Sequence, residues 1–379
     1  MSKVEELIQQ FCLDGIEFKA LGNIVKISNG KDHKLLEDGD YPVYGSGGIM
    51  RYANQFIYSD ESVLIPRKGS IGNIFYVDKP FWTVDTIFYT KINKEIIAPK
   101  FLYYFLKTLN LVDLNFAGGV PSLTKTILDK LQIPVPPIPI QHEIINILDK
   151  FTSLEAELEA ELEARHTQYN YYRNQLLYFE GKDVEWKTLG EVGEFIRGKR
   201  FVKNDIIPEG VPCIHYGELY THYKIWAKEA KSYLEPALAT KLRIAHPGDV
   251  VIVAAGETIE DIGNGVAWLG IEDVVIHDAC FAYKHSMNPK YVSYYLQTNL
   301  FRSQIKRYIS SGKISSINAP GLSKAKIPIP PMEEQERIVG ILDKFDALVN
   351  DISVGLPAEI AARRKQYEYY REKLLNFKS

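Results

Sequence analysis

The chain has 379 residues, with 45 Lys and Arg against 48 Asp and Glu and a net charge of -3 at pH 7. That length allows two or three domains and a sizeable core. Three cysteines without paired spacing (Cys12, Cys213, Cys280), no secretory leader and no apolar run long enough to span a bilayer argue against a disulfide-stapled or membrane protein and for a reducing, cytoplasmic setting.

In chain order, residues 1–17 read as a lead-in, with Val4 to Phe11 resembling the end of a long helix and Phe11 standing where Phe179 stands later. A first module follows over 18–132. In it Ser62–Pro66, Asn73–Val77 and Thr83–Lys91 have the β-branched and aromatic content of strands, and Phe101–Leu111 reads as a helix entered through Pro99. The next segment, 133–181, opens IPVPPIPIQHEIINILDKF and closes QYNYYRNQLLYF. A second module, 182–326, repeats the first: DVEWKTLGE at 183–191 answers GIEFKALGN at 15–23, GDVVIVAAG at 248–256 answers ESVLIPRKG at 61–69, and VIHDACFAY at 275–283 answers WTVDTIFYT at 82–90. The segment 327–379 then repeats the helix, opening IPIPPMEEQERIVGILDKF and closing QYEYYREKLLNF. Such a repeat governs the whole architecture.

Both repeated segments are predicted to be long helices, their prolines breaking whatever precedes them. The apolar seam runs through Ile144, Leu148, Phe151, Leu154, Leu158, Leu162, Tyr169, Tyr172 and Leu176 in the first. In the second it runs through Ile338, Leu342, Phe345, Leu348, Ile352, Leu356, Ile360, Tyr367, Tyr370 and Leu374, with one additional four-residue step. Alternating steps of three and four make a coiled-coil seam, and successive fours a stutter. The predicted fold class is therefore α+β: two similar mixed α/β modules joined by two long helices packed as an antiparallel coiled coil. Tyr171 and Tyr369 lie off the seam, with packing inside the chain expected for them ahead of packing on a partner. Charge divides along the same lines: the modules carry +3 (residues 18–132) and +4 (186–326), and the helical segments -6 (133–185) and -1 (327–379). Excesses this small suit a solvated surface as well as a nucleic-acid face.

The paired IPxPPxxxQxxIxxILDKF openings, the QYxYYRxxLLxF endings and the two WKTLGE-like module starts resemble the specificity subunit of type I restriction-modification systems, over essentially the whole chain. The resemblance implies that each module is a target recognition domain reading one half of a bipartite double-stranded DNA sequence and that the coiled coil sets the gap. It also implies a non-catalytic chain that binds no cofactor. S-adenosylmethionine, ATP and Mg²⁺ would belong to its partners: two methyltransferase subunits docked symmetrically and, through them, the restriction subunits. Residue chemistry agrees with this. There is no GxxxxGK[ST] phosphate loop and no NPP[FYW] tetrapeptide. Glu185-Trp186-Lys187 reads as a strand start before a nuclease site, GSGG at 45–48 as a turn, and the histidines, His215, His222, His277 and His285 among them, as structural or surface residues. Two rival classes stand beside this: a coiled-coil protein scaffold that does not read DNA, and a self-sufficient methyltransferase or nuclease, which would need motifs the sequence does not show.

LEAELEAELEAR at 154–165 is nearly three tetrapeptides in a row; the resemblance favours reading it as a ruler over a merely solvated run of good helix formers. Candidate DNA contacts come from donor-bearing side chains in the divergent loops. In the first module they are Tyr44, Ser46, Arg51, Arg67, Lys68, Ser70, Ser122, Thr124 and Lys125, with Arg51 and Arg67 foremost. In the second they are His215, Tyr216, Lys224, Glu257, Thr258, Lys313, Ser315, Ser316 and Asn318.

Overall fold

Strands form where β-branched residues run together. Ser62–Pro66 and Val250–Val253 are buried at every position, as expected of strands covered on both faces. The computed structural model describes residues 3–12, 15–114 and 122–377. It divides into two compact units, Met1–Glu159 with Glu359–Ser379, and Ala160–Ala358. Each unit thus takes in one module together with a stretch of both repeated helical segments.

In the first unit an antiparallel sheet runs in the order Val25–Asn29, Ile87–Ile92, Ser62–Pro66, Phe75–Val77. A second sheet holds Gly48–Ala53 antiparallel and Trp82–Thr83 parallel to Tyr41–Gly45. The second unit repeats this plan. Gly193–Arg197, Cys280–His285, Val250–Val253 and Gly265–Trp268 form the first sheet, with Trp226–Ala227 added at its edge. In the second, Ser232–Leu234 and Val274–Ile276 flank Val211–Ile214, again antiparallel and parallel. Each module is closed where the chain enters and leaves it: Phe18–Ala20 pairs with Gln132–Pro134, and Glu185–Thr188 with Lys326–Ile329. Glu185-Trp186-Lys187 is accordingly a strand start.

The single strand expected over Thr83–Lys91 is two, Trp82–Thr83 and Ile87–Ile92, separated by a turn at residues 84–86. The helix expected over Phe101–Leu111 spans Pro99–Leu106, with a 3₁₀ turn at Leu111–Leu114. It and its counterpart Pro289–Leu296 pack on the long buried strands. Phe11 ends the helix Lys3–Phe11 but is half exposed, unlike the buried Phe179.

The repeated helix motif is a set of locks. Gln141 is fully buried: its Oε1 accepts from the Ala98 amide at 2.7 Å, and its Nε2 donates to the carbonyls of Pro136 (2.7 Å) and Ile96 (3.0 Å). Gln335 accepts from the Asn288 amide and donates to the Pro330 carbonyl, both at 2.9 Å. Both glutamines seat the N-terminus of the module helix. Immediately after the buried Leu148, Asp149 takes Lys100 and the Tyr104 hydroxyl, each at 2.6 Å; Asp343, after Leu342, takes Lys290 and Tyr294, each at 2.7 Å. Phe151 stacks on Tyr370 at 5.3 Å within the first unit, and Phe345 on Tyr172 at 5.4 Å within the second. These pairings, with Arg364 on Glu155 and Glu159 in the first unit and Tyr169 on Asp346 in the second, run antiparallel.

The central helix is continuous from Ile138 to Leu176. Its C-terminal counterpart, expected to be one helix, is two: Met332–Asn350 and Leu356–Leu375. Asp351 stops the first by accepting from the Ser353 amide at 2.7 Å and the Ser353 hydroxyl at 2.6 Å. At Gly355 a Cβ would lie 2.4 Å from the Ala347 carbonyl, so only glycine fits, and Pro357 starts the next helix. The additional four-residue step of the seam is taken up by this break. Ile352 is therefore 85% exposed, and Val349 rather than Leu348 is buried. The remaining seam leucines Leu154, Leu158, Leu162 and Leu356 are half-buried. Leu177 and Leu375 are buried more deeply than Leu176 and Leu374, because each helix end turns its last leucine inward. Tyr171 and Tyr369, expected to pack inside the chain, are 59% and 60% exposed.

Candidate nucleic-acid interface

A glycine opens the cleft in each module. At Gly30 a Cβ would meet the Val84 carbonyl at 2.0 Å, and at Gly198 the His277 carbonyl at 2.1 Å. Only a glycine lets the chain leaving the first strand cross so close over the turn that splits the later one. The crossings are tied alike: Gly30 donates to Ile87 at 3.1 Å, and Gly198 to Cys280 at 3.0 Å. They deliver residues 32–34 and 200–203 to the first wall.

The second wall comes from the strand parallel to Trp82–Thr83 or Val274–Ile276. Val43 faces Trp82 and Cys213 faces Val275, so Gly45, Ser46 and Gly47 occupy the places of His215, Tyr216 and Gly217. The third wall is strapped by backbone bonds. The Arg67 amide donates to Thr86 (2.9 Å) and the Leu123 amide to Arg67 (2.8 Å); in the second module the Ala254 amide donates to Ala279 (2.7 Å) and the Ile317 amide to Ala254 (2.8 Å).

The first cleft, about 630 Å³, is lined by Asp32, His33, Lys34, Gly45–Gly47, Met50 and residues 84–86. The second, about 830 Å³, is richer in rings and cations: Phe201, His215, Tyr216 and His277, with Arg197, Arg200, Lys203 and Lys313 against Glu257 and Asp278. The His215 ring lies 4.6 Å from Tyr216 and 4.8 Å from His277. Each of these histidines accepts a backbone amide at Nδ1, from Gly217 at 3.3 Å and Ala279 at 3.1 Å; this puts the proton of the neutral His215 ring on Nε2, whereas His277 Nδ1 also lies 3.0 Å from the Asp278 carboxylate. Burial, opposed by Glu218 at His215 and by Asp278 at His277, lowers both pKa values.

The loops singled out by sequence meet here, though not every residue does. Ser46, His215, Tyr216, Glu257 and Lys313 line the clefts; Arg67 and Lys68 sit on the third wall, Lys68 bridging to Ser122, and Ser70 is in the exposed turn that follows. Tyr44 instead packs inward against Phe75 and Phe81, and Arg51 is tied to the Leu36 carbonyl (3.1 Å) and Asp38 (2.8 Å). Thr124 and Asn318 cap short helices; Lys125 is the exposed first residue of Lys125–Asp129. Thr258 donates to Asp261, Ser315 is buried in a strand pair, and Ser316 bonds Ser310 at 3.0 Å. Lys224 lies apart, in a recess with Trp226, Lys290, Asp343 and Asp346. Residues 118–121 of the last loop lie outside the described residues. Sequence reasoning did not single out the first wall, and read His277 as a structural or surface residue. The signal was the Gly-Lys pair shared by 30–31 and 198–199.

A model of the type I restriction modification DNA specificity domain matches this chain twice, over residues 14–164 and 181–362. The chain belongs to this family. A type I restriction enzyme specificity subunit of Escherichia coli is 36% identical over 410 residues, covering 100% of this chain and 97% of that one. The specificity subunit also shares its fold with a chain from a structure of type I restriction-modification complex assembly and conformational transition (TM-score 0.65, 18% identity, 95% and 97% coverage). A second likeness is to the Mycoplasma genitalium S subunit (TM-score 0.56, 16% identity, 96% of each chain). The specificity subunit is the recognition component of such a complex, not a catalytic one. Among the described residues, no helix is long and apolar enough to cross a membrane and no His, Cys, Asp or Glu cluster is arranged to hold a metal.

Arg67 stacks over the Phe88 ring at 5.3 Å, and its buried Nε has no hydrogen-bond partner among the described residues. The second module carries Ala254 in the same place, so the scaffold accepts alanine there. Arg67→Ala in the specificity subunit should weaken target methylation by about 5- to 100-fold, the cost of one lost specific contact. An unchanged rate in a folded variant would remove Arg67 from the interface.

Acid should unfold the second module of the specificity subunit first. Burial holds His285 down at about 4, and it lowers His215 and His277 in the same direction. Below the ordinary histidine pKa the unfolded chain binds protons that the native state refuses, so stability is lost as pH falls from about 6.5 toward these depressed values. Burial raises Asp249 and Asp346, which act oppositely, at lower pH. At pH 5.5 His285 alone should cost on the order of 1 kcal/mol. Hydrogen exchange of Cys280–His285 at pH 7.5 and 5.5, corrected for intrinsic rates, measures the loss; equal protection would contradict it.

Proposed function

We propose that this specificity subunit reads a bipartite duplex DNA target, one half in each cleft, while the central helix sets the unread gap. The observation carrying this reading is the pair of clefts at equivalent places in the two modules, strapped by matching backbone bonds but lined by different side chains. A shared scaffold with divergent loops suits recognition of two different sequences. Two methyltransferase subunits dock symmetrically, and restriction subunits join through them. The exposed Tyr171 and Tyr369, at equivalent positions on the two repeated helices, support such twin docking. S-adenosylmethionine, ATP and Mg²⁺ are assigned to those partners and not to this chain.

The test is a map of methylated adenines in a host carrying this chain with its methyltransferase subunit, against the same host without the chain. A new motif of two short halves around a fixed gap is expected. Unchanged methylation despite assembly of the subunits would leave a protein scaffold as the better account.

A further inference from the structure

The two clefts can be compared position by position, because the crossing glycines and the parallel strand pairs fix the correspondence. Phe201, the third residue after Gly198, takes the place of His33; His215 and Tyr216 take those of Gly45 and Ser46; His277 takes that of Val84. In the first cleft three of these four positions are small or aliphatic. In the second all four are rings, and they touch: Phe201 lies 5.2 Å from His277 and 5.8 Å from His215, and Tyr216 lies 5.0 Å from His277.

We propose that His215 and Tyr216, held in place by the buried rings of Phe201 and His277, form the base-reading element of the second module, taking the acceptor-bearing edge of a purine or thymine at one or two adjacent base pairs. This rests on the reading above that each cleft holds one half-site.

Four observations support it. The rings line an open cleft of about 830 Å³, with His215 and Tyr216 partly exposed to it and Phe201 and His277 buried beneath them. His215 has its Nδ1 committed to a backbone amide, which leaves Nε2–H as the donor of its neutral ring. Guanine O6 and N7, adenine N7 and thymine O4 are the major-groove acceptors for such donors, and the flat ring faces suit the thymine methyl. Arg197, Arg200, Lys203 and Lys313 stand around the rings with the charge that phosphates require. Of these, Arg197 is already oriented, its Nε donating to the Asp278 carbonyl at 2.9 Å. Specificity and backbone attraction thus fall to different side chains of one cleft.

The first module supplies the controls. His277→Val and Tyr216→Ser each install what the same scaffold already carries at the equivalent place in its other copy. Tyr216 is less buried than His277, so its replacement disturbs the packing less than His277→Val does.

Each variant is expressed with the methyltransferase subunit and its methylated adenines are mapped beside those of the parent chain. Binding of the purified complex to duplexes varied one base pair at a time in the affected half is then measured. Either variant should relax or change one or two positions in one half only, with the other half and the gap unaltered. Discrimination at those positions should drop by about 5- to 100-fold, the usual cost of a mismatched base pair. If Tyr216→Ser assembles and methylates the parental motif with parental discrimination, the ring cluster is not the reader. If the parent itself yields no split motif, it is the broader two-cleft reading that fails.

Discussion

Removing one tetrapeptide, Leu158–Glu161, from the run at 154–165 shortens the unread gap by one or two base pairs and leaves both half-sequences as they were. The run is periodic, so the deletion puts Leu162 in the place of Leu158 and Glu163 in that of Glu159, and Arg364 keeps two carboxylates in reach within the first unit. Four helical residues advance the axis by ~6 Å against ~3.4 Å per base pair, somewhat under two steps. At the parental target one half-site then falls out of register. With each wrong base pair costing about 1–3 kcal/mol, methylation there should drop on the order of a hundredfold or more. Mapping methylated adenines in the deletion strain decides it, and an unaltered gap would make the run a solvated helix and nothing more.

Gln141→Ala should produce the largest loss of stability. The substitution strands the Ala98 amide and the Ile96 and Pro136 carbonyls, which Gln141 satisfies from a fully buried position. Each orphaned group costs about 1–3 kcal/mol, and partial rescue by water brings the sum to about 3 kcal/mol. For a unit of this size that lowers Tm by about 6–12 °C, measurable by thermal unfolding. Gln141→Met separates hydrogen bonding from space filling. It preserves length and volume but makes none of the three bonds, so it should lose nearly as much; a Met variant as stable as the parent would show that Gln141 only fills a gap. Gln335→Ala should act in the same way on the second unit, where two such bonds are at stake.

The repeat made most of the architecture legible, because it turns on local rules. Proline-led helices, buried Ile144 and Leu148 beside Ile338 and Leu342, and β-branched strands are short-range signals, and their duplication marked them as one plan. The clefts were less legible. Their first wall depends on Gly30 and Gly198 passing over turns more than fifty residues away, a non-local event that no periodicity announces. The strand expected through residues 84–86 hid the turn on which the cleft is built, and so His277 with it. Arg51 illustrates a related point: composition suggests an arginine in a loop, whereas the fold puts it in the strand Gly48–Ala53 with Asp38 beside it. The break at Asp351–Gly355 was written in Gly355 and Pro357, and was overlooked because apolar spacing carried straight through it.

The glutamine and aspartate locks have a consequence for how such a chain can change. Gln141, Asp149, Gln335 and Asp343 grip the module helices through backbone groups, a lysine and a tyrosine, and none of them lines a cleft. Folding and target choice are therefore inherited through separate residues. Mutations that redraw a cleft wall, or an exchange of one module for another at the shared ILDKF sequence, leave the locks untouched. A lineage carrying this architecture can alter what it recognises without first passing through an unstable intermediate.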